Sequence, residues 1–500
     1  MSLMNNTVAP LRHLDRFFIG GEWVRPSTNS TIEVTDSATE EHFFTVAEAQ
    51  EADVTRAVGA AREAFDAGPW PHMSHAERAE YLRAIAVGLR KRAADVAQIW
   101  PRESGVLHGL ARGAAEGAAR AFEYYAALAD TFAWEEQATP TAGGKFGLIV
   151  REPVGVVGAI IPWNAPLSLI TYKLAPALIA GCTNVLKSSP EAPGEGYVIA
   201  EVAEEVGLPP GVLNVVTADR EVSELLVRDP RVDKITFTGS TAAGRRIAAL
   251  CGERIARCTL ELGGKSAAVV LDDIDLETVA NKISGAECFL SGQVCSSLTR
   301  IVVPRHRHDE LLESLASIFS QVRVGDPIDP ETQMGPLAAE RQRDRVERYI
   351  GKGVSDGATL ATGGGRPSHL ERGWFIEPTV FGNVENSATI AQEEIFGPVL
   401  SVIPAEDERD AVRIANDTIY GLNNSVFTND SDRAYDVARQ LRSGTVGHNC
   451  FRTDFGIAFG GFKQSGIGRE GGKEGLLPFL ETKTVILEEP PSGYPVSPTS

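Results

Sequence analysis

An α/β fold of two doubly wound parallel sheets with a small β arm is what the sequence predicts, on three observations. Short apolar strands alternate with helices between Val154 and Val270, the alternation resumes after Arg300, and two half-charged strand-like segments fit neither run. Five hundred residues are also too many for one hydrophobic core.

In chain order, HAERAEYLRAIAVGLRKRAADVAQI and the alanine-rich GLARGAAEGAARAFEYYAALAD, between Ser74 and Asp130, place apolar residues three and four apart, which predicts helices. VGVVGAII (154–161) reads as a buried strand, PLSLITYKLAPALIAG as a helix and TNVLK (183–187) as the next strand. A helix through GYVIAEVAEEVG, the strand VLNVV (212–216), the helix EVSELLVR and the strand DKITFTG (233–239) continue the series. Runs of this kind imply a parallel sheet covered on both faces. RIVV (300–303), the helix DELLESLASIFSQV, PVLSVI (398–403), the helix ERDAVRIAND and NNSVFT (423–428) then predict a second such unit, with Cys295 at its beginning. The two leftover segments, KFGLIVRE (145–152) and TKTVILEE (482–489), are expected to pair and to extend a sheet of another subunit.

Composition narrows the function classes. Forty-eight basic against 67 acidic side chains give a net charge of −19, so the chain repels phosphate backbones and anionic membrane surfaces, and nucleic acid is not an expected partner. The first residues, MSLMNNTVAPLRHLDRFFIGGEW, lack the apolar core of a signal peptide, and no stretch is apolar enough to span a membrane. A cytoplasmic location is therefore expected. The C-terminal EEPPSGYPVSPTS reads as a disordered tail.

Six cysteines (Cys182, Cys251, Cys258, Cys288, Cys295, Cys450) have neither the spacing of a metal site nor the density of a disulfide framework. A lone cysteine such as Cys295, in SGQVCSS, is ordinarily an inert core thiol. Four other features bear on it. FTGSTAAGRRI (237–247) sets Gly239 after a strand and Ser240 as the N-cap of a helix, a junction that suits a pyrophosphate or is simply a cap. Lys187 ends a strand of the same sheet, where ligands of such folds bind, although a solvated lysine fits the position equally well. Glu261 in TLELGGK is an acid at the end of an apolar strand, to be used chemically or paired with Lys265 or an arginine. Asn164 in IIPWNAP either donates to a developing oxyanion or caps a turn before Pro166.

Together these motifs resemble the aldehyde dehydrogenase family, from about Phe17 to Leu487. The residues that carry the likeness are PWN (162–164), Lys187, FTGS (237–240), LELGGK (260–265), GQVC (292–295), EEIFGPV (393–399) and GGFKQSGIGRE (460–470). Seven motifs in one order are far more specific than any one of them. The resemblance implies that the thiolate of Cys295 attacks the aldehyde carbon and that the Asn164 amide and the Cys295 N–H hold the oxyanion. Hydride then passes to a nicotinamide, and Glu261 activates the water that hydrolyses the thioester. Lys173 and Glu470 are implied as a proton path from the base. For the cofactor, NAD with NADP left open, it implies Lys187 at the adenine ribose, Gly239 and Ser240 at the pyrophosphate and Glu394 at the nicotinamide ribose. Phe396, Ile161, Trp163 and Leu262 would pack around it, and no metal is needed. One departure bears on the cofactor: NAD-preferring members often carry a glutamate three residues after the lysine, where this chain has Pro190, with Glu191 one place later.

The resemblance further places Ala165, Leu169, Tyr172, Val294, Ser296 and Phe455, with Phe289, along a substrate tunnel, so a medium-sized apolar aldehyde is expected, although plain core packing would use the same residue types. Nearby Arg452 and Asp454 leave a polar substrate end open. It divides the chain into a dinucleotide-binding, Rossmann-like domain (1–136 and 155–263), a catalytic domain (264–470), an oligomerisation arm (137–154 and 471–490) and the tail (491–500), in a homodimer or homotetramer. A catalytically silent relative, or a thiol esterase working without redox chemistry, are the competing readings. The first leaves the retained Cys295, Glu261 and Asn164 without purpose, and the second leaves the cofactor motifs unexplained.

Overall fold

The computed structural model of the chain describes residues 9–492 and Tyr494, so most of the tail expected from 491 to 500 lies outside the described residues. Two large sheets organise the chain. In the first, eight strands run in the order Gly466–Ile467, Arg257–Glu261, Lys234–Thr238, Val156–Ile160, Thr183–Ser188, Leu213–Thr217, Phe17–Ile19, Glu22–Val24. The five central strands are parallel, as the alternation predicts, and the outer ones are antiparallel additions that no periodic pattern announces.

Side-chain alternation places the two cores. Val157 and Ala159 face a cluster that includes Leu82, Phe122 and Leu174, whereas Val156 and Ile160 face Val58, Leu226 and Leu250 on the other side. Helix Pro166–Ala180 is apolar on nearly every side because it lies between this sheet and the helices His75–Lys91 and His108–Thr131. Those two, with Ala93–Ser104, are the helices expected before residue 130.

The second sheet has seven strands in the order Thr359–Thr362, Thr379–Gly382, Val399–Ala405, Arg300–Pro304, Ala267–Val270, Asn423–Phe427, Thr445–His448, all parallel except the first. Ala267 and Val269 point to one core, Ala268 and Val270 to the other. The two leftover segments do pair: Phe146–Pro153 runs antiparallel to Leu480–Leu487, from Phe146 opposite Leu487 to Pro153 opposite Leu480. Glu135–Ala138 adds a third strand to that arm.

The chain passes from the first sheet to the second through 262–266, the LGGKS that follows Glu261. Functional residues predicted far apart in sequence therefore meet where the two sheets adjoin.

Candidate active site

The carboxyl ends of the parallel strands supply one wall. Beyond Val156–Ile160, the Ile161 amide donates to the Lys187 carbonyl at 3.2 Å, and the chain turns through Trp163 and Asn164 into the next helix. That turn is pinned from behind: Ser104 Oγ donates to the Trp163 carbonyl (2.6 Å) and Trp100 Nε1 to the Asn164 carbonyl (3.0 Å). The buried Asn164 amide donates to the carbonyl of Gln293, 2.9 Å away, two residues before Cys295.

Cys295 keeps partial exposure at the end of a tight turn. Leu290, Ser291 and Gly292 all take positive φ (51°, 56° and 71°), a conformation that costs a non-glycine residue about 1 kcal/mol or more. Cross-links hold it there. Ser291 Oγ donates to the Gly335 carbonyl (2.8 Å), while the Gln293 side chain donates to the carbonyls of Ser104 and Leu290 and accepts from the Ala338 amide. Gln293 lies within the GQVC motif, but only the fold shows that it ties distant segments to the turn of Cys295. Trp100 and Ser104 gave no signal in the sequence.

The paired glycines of LELGGK have separate steric reasons. A Cβ at Gly263 would collide with the Glu394 carboxylate, and one at Gly264 with the Cys295 carbonyl. Gly264 N also donates to Glu394 Oε1 at 3.2 Å. The strand that ends in Glu261 is thus held against both the thiol turn and the EEIFGPV segment, where Phe396, at φ 63°, sets its ring edge-on to Trp163 with centroids 5.4 Å apart.

Glu261 is 2 % exposed, and neither carboxylate oxygen has a hydrogen-bond partner. The expected pairing with Lys265 or an arginine is not made. Burial, and after it the Glu470 carboxylate, push the Glu261 carboxyl well above the usual range. The same physics raises the Cys295 thiol: burial first, then the carboxylates of Glu394 and Glu261. Burial also lifts Glu394 to about 7 and lowers Lys187 to about 8. Behind Glu261, the buried Lys173 ammonium donates to Thr238 Oγ1 (2.7 Å) and pairs with Glu470. Thr238 stands in the FTGS motif, yet its part in this link is visible only in the fold.

Ser240 caps helix Thr241–Glu253, its Oγ accepting from the Ala243 amide, and the Gly239 amide donates to the Glu261 carbonyl. Leu262, buried, covers Gly244 of that helix. The structure thus gathers Ile161, Trp163, Lys187, Gly239, Ser240 and Leu262 at the carboxyl ends of the first sheet, with Glu394 and Phe396 facing them from the second. Glu191 is engaged by Ser189 Oγ and the Arg341 guanidinium.

Of the expected tunnel residues, Tyr172 and Phe455 stack at 4.3 Å, and Phe459 continues the stack at 4.3 Å. Ala165 and Val294 each pack against a cluster that includes Trp100, Val106 and Leu290. Leu169 is buried on the helix that carries Tyr172. Ser296 is 3 % exposed, its carbonyl accepting from Asn423 Nδ2, so it belongs more to the floor than to a channel wall. Among the described residues no group of three or more His, Cys, Asp or Glu is arranged to hold a metal, and no helix is long and apolar enough to cross a membrane.

A thiol, a buried unpaired carboxylate and a side-chain amide lie together beside a nucleotide-type crevice, an arrangement that suits a thiol-dependent oxidoreductase. Comparison with known proteins gives the class its name. Residues 23–485 match the model of the aldehyde dehydrogenase family. The chain is 44% identical over 475 residues to geranial dehydrogenase of Castellaniella defragrans, covering 94% of this chain and 98% of that one. It is 42% identical over 482 residues to 3-succinoylsemialdehyde-pyridine dehydrogenase of a Pseudomonas species, with 95% and 99% covered. Among solved structures, Mycobacterium tuberculosis aldehyde dehydrogenase complexed with NAD+ superposes with a TM-score of 0.93 at 46% identity, over 96% of this chain and 99% of that chain. A mutant aldehyde dehydrogenase C of Pseudomonas syringae, complexed with NAD+ and octanal, gives 0.92 at 38% identity, over 97% and 99%. The chain belongs to the aldehyde dehydrogenase family, and its activity is the oxidation of aldehydes.

Proposed function

We infer that Cys295, Glu261 and Asn164 carry aldehyde oxidation in this chain. The observation that supports this most directly is the Glu261 carboxylate: buried, without a partner, and close enough to Cys295 to raise the proton affinity of the thiol. A thiol pushed up by its setting must lose its proton before it attacks, and Cys295, which keeps partial exposure, gives that proton to solvent. The Cys295 sulfur then bonds to the aldehyde carbon. The Asn164 amide has two N–H groups, so one keeps the Gln293 carbonyl while the other, with the Cys295 amide, meets the oxyanion.

The crevice suits a dinucleotide by its own chemistry: a helix N-terminus capped by Ser240, a lysine at a strand end, and a carboxylate seated over Gly263 for ribose hydroxyls. NAD, the ligand of the similar solved structures, supplies the hydride acceptor when bound. Lys187 and Glu191 hold the adenine ribose, Gly239 and Ser240 the pyrophosphate, and Glu394 the nicotinamide ribose. Ile161, Trp163, Leu262 and Phe396 pack around them. In the second half, Glu261 takes a proton from water, which attacks the thioester carbon and releases the acid. Lys173 and Glu470 pass that proton outward.

The Glu191 carboxylate, held beside Lys187, repels a 2′-phosphate, while Arg341 softens the repulsion. NAD is therefore expected to bind about tenfold more tightly than NADP, about 1.4 kcal/mol, in calorimetric titrations. Equal affinity would remove Glu191 from ribose recognition.

The Tyr172, Phe455 and Phe459 stack and the apolar packing of Ala165 and Val294 support a medium-sized apolar aldehyde, as do the relative named for geranial and the structure holding octanal. Leu169 completes that path, with Ser296 in the floor beneath it. A panel of aliphatic, aromatic and charged semialdehydes should give the highest kcat/KM with the apolar members; preference for a charged semialdehyde would overturn this assignment. Replacing Asn164 by alanine should lower kcat by about 10²- to 10³-fold with NAD affinity unchanged, measured by steady-state kinetics beside calorimetry.

Strands 146–153 and 480–487 support an oligomerisation arm, 137–154 and 471–490, between a dinucleotide-binding domain (1–136, 155–263) and a catalytic domain (264–470). Light scattering should find a homodimer or homotetramer, and a monomer would refute the arm's role. The charge balance supports an enzyme without nucleic-acid partners, and its location is proposed to be the cytoplasm.

A further inference from the structure

The Glu261 carboxylate is buried and accepts no hydrogen bond, so packing alone fixes where it stands. One surface it rests against belongs to a residue without a side chain. A Cβ on Gly460 would lie 2.6 Å from Glu261 Oε1, 2.8 Å from Arg469 Cδ and 2.9 Å from the Gly468 carbonyl oxygen, and the Gly460 φ of 153° itself favours glycine. Arg469 gives its guanidinium to the carbonyls of Gly461 (3.1 Å) and Gly468 (2.6 Å), and not to the carboxylate.

Neither backbone is free to yield. Phe459 exchanges both main-chain hydrogen bonds with Glu470, at 2.6 and 2.7 Å, and the Gly460 carbonyl lies so close to Gly444 that a Cβ there would collide with it. The strand that ends in Glu261 is paired with Lys234–Thr238 on one side and with Gly466–Ile467 on the other. What gives way to an added methyl is therefore the ends of the Glu261 and Arg469 side chains. A hydrogen-bonded seat would compromise a base, whose lone pairs must stay free to take a proton from water. A bare Cα restrains the carboxylate without occupying a lone pair. Phe459 also stacks on Phe455, and Glu470 pairs with Lys173, so one short segment holds the aromatic row, the carboxylate and the ion pair in a fixed relation.

We propose that Gly460 is a positioning residue for thioester hydrolysis: its bare Cα is the seat of the Glu261 carboxylate, and the absence of a side chain there keeps the base within reach of the attacking water. This rests on the reading of Glu261 as that base. A methyl at 460 moves the carboxylate by about 1 Å, a misplacement that costs on the order of 10²-fold in a step that depends on geometry. Attack of Cys295 on the aldehyde does not use the carboxylate and is spared.

The test follows NADH formation by rapid mixing in the full chain carrying Gly460→Ala, Glu261→Asp or both, with a saturating apolar aldehyde. Gly460→Ala should keep a burst of one equivalent per active site and lower the steady rate by about 10²-fold. Aspartate at 261 withdraws the carboxylate by one methylene, so Gly460→Ala added to Glu261→Asp should cost at least about tenfold less than Gly460→Ala added to wild type. Gly468→Ala is the control for backbone strain in the same loop: Gly468 has a φ of 86°, and its Cβ would first meet Thr259, 3.2 Å away. Its effect should be the same in both backgrounds. An equal cost of Gly460→Ala in the two backgrounds, or loss of the burst together with the steady rate, would overturn the proposal. Thermal melts carry the same test if Gly460→Ala folds poorly: Glu261→Asp should restore stability lost to the methyl, and a double variant no more stable than Gly460→Ala would place the clash in the backbone and overturn the proposal as well. Glu261→Gln, measured alongside, separates the two readings. Unchanged deacylation with glutamine removes the base itself, whereas slow deacylation with glutamine and a normal rate in Gly460→Ala removes only its seat.

Discussion

Cys295→Ala is expected to lower aldehyde-dependent NAD reduction by on the order of 10⁴-fold or more while the protein stays folded and binds NAD normally. The loss should be that large because nothing else near the crevice substitutes for the sulfur: Ser296 and Ser297 are 3 % and 5 % exposed, and Ser297 is engaged with Glu287. Removing a partly exposed thiol from a turn held by Ser291, Gln293 and Gly292 leaves those ties intact, so a thermal melt should move little. Reduced-nicotinamide absorbance, with calorimetric titration of NAD on the same sample, makes the measurement. Retained turnover would point to another nucleophile. Loss of NAD binding together with activity would mean that the change had disordered the site instead of removing a reactant.

Glu261→Gln should separate the two halves of the reaction. With glutamine at 261 the thioester forms but lacks its base for hydrolysis, so rapid mixing should show one equivalent of NADH per active site followed by a steady rate about 10²- to 10⁴-fold below wild type. Mass spectrometry of the quenched enzyme should find the acyl group on Cys295. The sign of the pH dependence follows from the raised proton affinity of Glu261, caused by burial and then by Glu470. At low pH the carboxyl is protonated and cannot act as a base, so wild-type deacylation should rise with pH through a value above the ordinary carboxylate range. The glutamine variant should lose that rise. A variant with no burst, or an unchanged pH profile, would assign the base elsewhere.

Much of this was legible in the sequence for definite physical reasons. The parallel strands were visible because strands buried on both faces read as continuous apolar runs, as in VGVVGAII. The strands Phe17–Ile19, Glu22–Val24 and Gly466–Ile467 are too short to show a period and exist because the edges of the first sheet recruit them. Cys295, Glu261 and Asn164 stood out only when their motifs were taken together, since each alone has an ordinary structural reading. The residues that hold them, Trp100, Ser104 and Thr238, act through contacts between distant segments, and local pattern does not encode that. The reason for two successive glycines after Leu262 was likewise invisible until Glu394 and the Cys295 carbonyl were seen above them.

The short crossing at 262–266 has a mechanical consequence. Glu261 is the last residue of a strand in one sheet, whereas Cys295 leads into Arg300–Pro304 of the other, and the crossing between the sheets starts beside Glu261. Gly263 lies under the Glu394 carboxylate and Gly264 under the Cys295 carbonyl, so a side chain at either position would press the two sheets apart where the carboxylate and the thiol meet.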